Sequence, residues 1–144
     1  MIRWGGYLLT FLGAGHTVAG LILTAPREGD AWFNGQLWQL DEGVTPMSQP
    51  MATFWLTTGS FGIPLVMIGL LVVWLDRRDI VPPLFLAWML GIWSLVCGVI
   101  MEPAPWPLAW IAVGLLVAGA HRAAAADQPR GVVAGDRREL RLDA

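Results

Sequence analysis

Four stretches of this chain run about the length of a membrane crossing with almost no charge: Trp4–Thr24, Ala52–Leu75, Val81–Met101 and Pro105–His121. A helix needs about 17–25 apolar residues to cross ~30 Å of hydrocarbon. Lipid offers the backbone no hydrogen-bond partner, so an apolar run of this length must satisfy its own amides as a helix. The expected fold is all-α, an integral membrane four-helix bundle. Composition agrees, with 56% hydrophobic and 14% charged residues and a mean hydropathy of +0.57, against about 25% charged in soluble domains. At 144 residues the chain has room for one domain. Residues 1–122 form the membrane part, and 123–144 an Ala-, Gly- and Arg-rich tail read as a partly disordered cytoplasmic extension.

Arginine placement sets the orientation. In a four-span topology Arg3, Arg77, Arg78, Arg122 and the tail arginines share one side, and Arg27 stands on the other with Glu28, Asp30, Asp41, Glu42 and Glu102. Both termini and the Asp-Arg-Arg-Asp turn at Asp76–Asp79 are therefore expected in the cytoplasm of a multi-pass plasma-membrane protein. The turn makes spans two and three an antiparallel hairpin. The first span is expected to be retained, because Leu23-Thr24-Ala25 followed by Pro26 is a poor signal-cleavage site. The outer connection, Ala25–Met51, is long. Its Ala31–Leu40 stretch, AWFNGQLWQL, reads as a short amphipathic helix in the interface.

Gly6, Thr10, Gly13, Thr17, Gly20 and Thr24 alternate at spacings of four and three, a helix face of small residues suited to close packing in lipid. Beside it stands His16, about 12 Å below the outer end of the span at 1.5 Å per residue. Span two enters from outside with Thr57, Thr58 and Ser60, and span three leaves through Ser94, with Cys97 above it. The inner half of span two, IPLVMIGLLVVWL, holds no hydrogen-bonding side chain other than its tryptophan. Polar groups thus gather in the outer half. Trp55, Trp93 and Trp110 are expected near them, while Trp4, Trp74 and Trp106 read as interface residues. Aromatic walls with a few polar groups describe a small-molecule pocket and equally a packed bundle with an aromatic girdle. Pro64 is expected to bend span two.

An ionisable residue inside the membrane is a functional candidate, and the alternative for His16 is an interhelical hydrogen bond to Thr57, Ser60 or Ser94. The expected ligand-binding set is His16, Thr57, Ser60, Ser94, Trp55, Trp93 and Trp110. If the protein is an enzyme, His16 and Glu102 are its acid and base. Desolvation at the mouth of span three would favour protonated Glu102; the alternative is a solvated loop carboxylate. No metal site is expected, since the two histidines, His16 and His121, lie toward opposite membrane faces and one histidine is too few for the usual zinc or copper sites. The single cysteine, Cys97, forms no internal disulfide. No cofactor is expected, and no phosphate loop or basic stripe points to nucleotide or nucleic acid.

With Arg3-Trp4, GAGH at Gly13–His16 followed by Gly20, TFWLTTGSFGIPL at Thr53–Leu65 and MEPAPWPL at Met101–Leu108, the chain resembles an uncharacterised group of small four-helix membrane proteins from actinobacteria. Members of that group show Gly-x-Gly-His in span one, a Phe-Trp start to span two and a proline-containing turn before span four. The resemblance runs from Arg3 to about Val117 and implies a four-span fold without an activity. Three functions remain open. The first is binding of an apolar or amphipathic small molecule, a lipid or isoprenoid, in an outer-half pocket. The second is a cofactor-independent isomerase or cyclase using Glu102 and His16. The third is an accessory subunit packing against a partner membrane protein or a second copy of itself.

Overall fold

A computed structural model describes residues 1–38, 47–100 and 105–126. Among these the chain is all-helical: α1 (Ile2–Phe33), α2 (Gln49–Thr57), α3 (Gly62–Asp76), α4 (Leu84–Ile100) and α5 (Trp106–Ala126), with one 3-10 turn at Gln36–Trp38. Three helical stretches are long and apolar enough to cross a membrane: Ile2–Phe33, Gln49–Asp76 taken through its break, and Trp106–Ala126. At 17 residues α4 is a shorter apolar helix, about 25 Å long at 1.5 Å per residue. Large apolar side chains cover the outside, including Phe11 at 65%, Leu23 at 71% and Val99 at 79% exposure. Soluble monomers rarely show apolar surface on this scale, so the surface fits a lipid environment.

The helix α1 lies at the centre and packs against α2, α3 and α5. Its small-residue face explains the fit to α3. Gly6, Gly13 and Gly20 recur every seven residues, as do Gly62 and Gly69. The two series meet in antiparallel register. A Cβ placed on Gly6 would stand 2.9 Å from the Gly69 carbonyl oxygen, one on Gly62 would stand 3.0 Å from the Gly13 carbonyl oxygen, and one on Gly20 would press on Thr57 Cγ2 at 2.8 Å. A period of seven keeps such a seam facing its partner along a left-handed crossing. The threonines four residues on donate back to the glycine carbonyls: Thr10 to Gly6 at 3.0 Å, Thr17 to Gly13 at 3.0 Å and Thr24 to Gly20 at 2.8 Å. Their hydroxyls are thereby satisfied without reaching across the seam. At one end of the pair Arg3 Nε donates to Asp76 Oδ2 at 2.8 Å, so the start of α1 and the turn after α3 share a side.

Several boundaries differ from the sequence expectation. Instead of stopping near Thr24, α1 continues through Pro26 to Phe33. Proline removes one backbone donor, but the far end is held independently. Trp32 Nε1 donates to the Pro50 carbonyl at 2.9 Å, Asn34 N–H closes on the Asp30 carbonyl, and Gly35 ends the helix with φ +83°, a left-handed value glycine takes freely. The expected interfacial helix is thus divided: Ala31, Trp32 and Phe33 belong to α1, a single 3-10 turn follows, and Gln39 and Leu40 lie outside the described residues. The start of α4 shifts to Leu84, because Pro82 and Pro83 disfavour helical backbone in the residues before them. Nor does α4 lie along α3, the element its turn joins it to; it packs on α5, with Val113 close to Gly91 and Trp106 and Trp110 close to Gly98.

Span two does not bend at Pro64 but breaks ahead of it, over Thr58–Phe61. Pro64 is the third residue of α3, where its missing N–H leaves no bond unmade. Its ring conflicts with the carbonyl four residues earlier, at Ser60, and the break falls there. The N–H groups of both Thr58 and Gly59 close on the Phe54 carbonyl, at 2.9 and 3.0 Å. The carbonyl oxygens of Leu56 and Thr57 accept from side chains instead.

Candidate functional site

The break in span two and His16 of α1 meet. His16 Nε2 lies 2.8 Å from Ser60 Oγ and 3.1 Å from the Leu56 carbonyl oxygen, and Ser60 Oγ donates to the Thr57 carbonyl at 3.2 Å. A carbonyl can only accept, so the proton shared with Leu56 belongs to Nε2. The imidazole stacks at a tilt of 33° on Phe61, with centroids 4.3 Å apart. Its Cδ2 edge faces α3, 3.1 Å from a Cβ placed on Gly62, which turns Nδ1 the other way. No side-chain nitrogen or oxygen of the described residues is both buried and unpartnered. Nδ1, which makes no bond to the described residues, is therefore accessible.

His16 is in the wall of a cavity of about 520 Å³, within the ~300–1,000 Å³ range of small-molecule sites. The cavity exists because α1 and α5 are close at one end and apart at the other. Near the chain start a Cβ on Gly5 would touch the Ala112 carbonyl oxygen at 3.0 Å, and a Cβ on Gly119 would strike Ile2. Toward the other end the helices part, and α1 presents two columns of residues spaced by four. One is Phe11, Gly15, Ala19 and Leu23; the other is Leu12, His16, Gly20 and Thr24. Phe61, Trp93 and Trp106 close the far wall as one aromatic cluster, with Phe61–Trp93 at 5.2 Å and Trp93–Trp106 at 5.8 Å. Among the described residues, the lining includes no Asp, Glu, Lys or Arg. The hydroxyls of Thr24 and Thr57 are already committed to their own helices.

Of the residues expected to bind a ligand, His16, Thr57 and Trp93 line the cavity. Ser60 is in contact with His16 behind the wall. Ser94 is buried, with its hydroxyl on the Gly91 carbonyl. Trp55 and Trp110 are outside the lining, both exposed, packed over Gly59 and Gly98 respectively. Trp106, expected in the interface belt, is 8% exposed and sits in the aromatic cluster. Glu102 lies outside the described residues, and with it the expected acid–base pair. Among the described residues no three metal-ligating side chains come together. Phe11, Gly15, Ala19 and Phe61 were missed in the sequence, although Phe11, Gly15 and Ala19 follow a four-residue spacing visible beside the glycine face.

No curated protein and no solved structure matches this chain. A family model does, over residues 1–123, nearly the whole of the described helical body, and the chain belongs to that family, a family of unknown function designated DUF6463.

Proposed function

We propose that this protein is a multi-pass plasma-membrane protein, with both termini in the cytoplasm, that binds an apolar or amphipathic small molecule of lipid or isoprenoid type. The observation that supports the reading is a cavity of about 520 Å³ whose described lining is mostly apolar, with the histidine of α1 in its wall. Apolar surface favours a chain or ring system entering from lipid, and one polar atom orients it. Arginine placement supports the orientation, since Arg3 pairs with Asp76 next to Arg77 and Arg78. In that orientation the cavity lies in the outer half.

Gly15 provides the test. It lines the cavity, and a Cβ there meets nothing within 4 Å, so Gly15→Phe fills the space without disturbing the α1–α3 seam. Native mass spectrometry and lipid extraction of the purified protein should find one defined molecule retained by wild type and absent from Gly15→Phe, with melting unchanged. The same bulk-lipid profile in both proteins would refute the reading.

A further inference from the structure

We infer that the cavity selects a lipid whose polar end donates a hydrogen bond, a long-chain or isoprenoid alcohol, over esters, ethers, quinones and carboxylates, which only accept. The inference rests on the binding reading above and deepens it. With Nε2–H held between the Leu56 carbonyl and Ser60 Oγ, a neutral imidazole presents a bare lone pair at Nδ1. Thr24 and Thr57 donate to backbone carbonyls, so toward the cavity their hydroxyl oxygens also offer only lone pairs. The polar groups contributed by α1 and α2 are therefore acceptors. A hydroxyl gives its proton to Nδ1. An ether or ester oxygen placed there sets lone pair against lone pair, and both polar groups lose water without compensation. A carboxylate fares worse, because the described lining residues include no Lys or Arg. An indole donor such as Trp93 does not separate the classes, since hydroxyl, ether and carboxylate oxygens all accept from it.

The break between α2 and α3 fixes this polarity. A continuous helix would use the Leu56 and Thr57 carbonyls internally. The interruption at Thr58–Phe61 frees them, one to hold His16 and the other to hold Ser60. Nε2 becomes the bonded nitrogen, and Nδ1 the one left accessible in a residue that lines the cavity.

The probes are octadecanol brominated along its chain, its methyl ether and the matching carboxylate, added to the full-length protein in phosphatidylcholine nanodiscs. Quenching of tryptophan fluorescence reports occupancy, because Trp93 and Trp106 line the space. The assay runs at about pH 8. The alcohol should bind about fivefold to tenfold more tightly than the ether, the value of one hydrogen bond otherwise left unmade, and the carboxylate most weakly. In His16→Phe the preference should vanish while ether binding persists. Equal affinity for alcohol and ether in wild type, or tighter binding of the carboxylate, would overturn the inference and leave the cavity reading standing. Absence of saturable quenching by all three probes would overturn both. The wild-type comparison needs no variant to fold.

Discussion

Substituting alanine at two glycines of one helix, Gly13 and Gly15, separates packing from helix propensity. At Gly13 the added Cβ would lie 2.8 Å from the Val66 backbone nitrogen and 3.0 Å from Val66 Cγ2, and it would also press on the Gly62 carbonyl oxygen. Non-bonded contacts relax at about 3.5–4.0 Å, so α1 and α3 must part by roughly 1 Å at this point. Two of the three clashing groups are backbone, and no rotamer change relieves them. Overpacking of this kind costs about 1–3 kcal/mol. At Gly15 the Cβ enters open space. Both changes gain the same helix propensity, about 1 kcal/mol, which cancels in the difference. Gly13→Ala should therefore be less stable than Gly15→Ala by about 1–3 kcal/mol, measured by steric trapping or by thermal melting with size-exclusion detection in detergent. Gly13→Ala and Gly62→Ala combined should cost less than the sum of the two, because the first substitution has already separated the helices. Gly13→Ala and Gly15→Ala agreeing within about 0.5 kcal/mol, the error of additive behaviour, would refute the close α1–α3 seam.

Two further outcomes bear on the ends of the bundle. Asp76→Asn should cost no more than about 1 kcal/mol, with the loss shrinking at high salt, because the Arg3–Asp76 pair is partly exposed, at 50% and 20% for the two side chains; a loss of several kcal/mol would mean the pair is buried. In a Cys97→Ser background, a membrane-impermeant thiol reagent on intact cells should label a cysteine at Gln36 but not one at Asp79, and the reverse pattern would invert the proposed topology.

The helical nature of the chain and its four apolar segments were legible in the sequence, because in lipid the backbone has one local way to satisfy itself, and length and charge reveal it. The Gly6–Thr24 face of α1 was legible for a related reason, as its spacing of four and three is a property of a single helix. Which surface received that face was not legible. The partner is the Gly62–Gly69 series of α3, at the same seven-residue period, and only the antiparallel register of two helices brings the series together. Likewise α4 follows α3 through a short turn yet packs on α5, since helix association in lipid depends on surface fit and not on chain proximity. His16 and Ser60 were singled out from residue type and depth, and their contact was among the alternatives. The freed carbonyls of Leu56 and Thr57, which set the tautomer of His16, arise from the break four residues before Pro64. Depth placed Trp55, Trp93 and Trp110 at one level, but rotation about each helix axis decides which of them faces inward. Trp93 and Trp106 wall the cavity while Trp55 and Trp110 turn outward. An apolar helix in lipid can be apolar all round, as α3 and α4 nearly are, so the sequence carries little of the facial contrast that would reveal that rotation, and tertiary packing alone decides it.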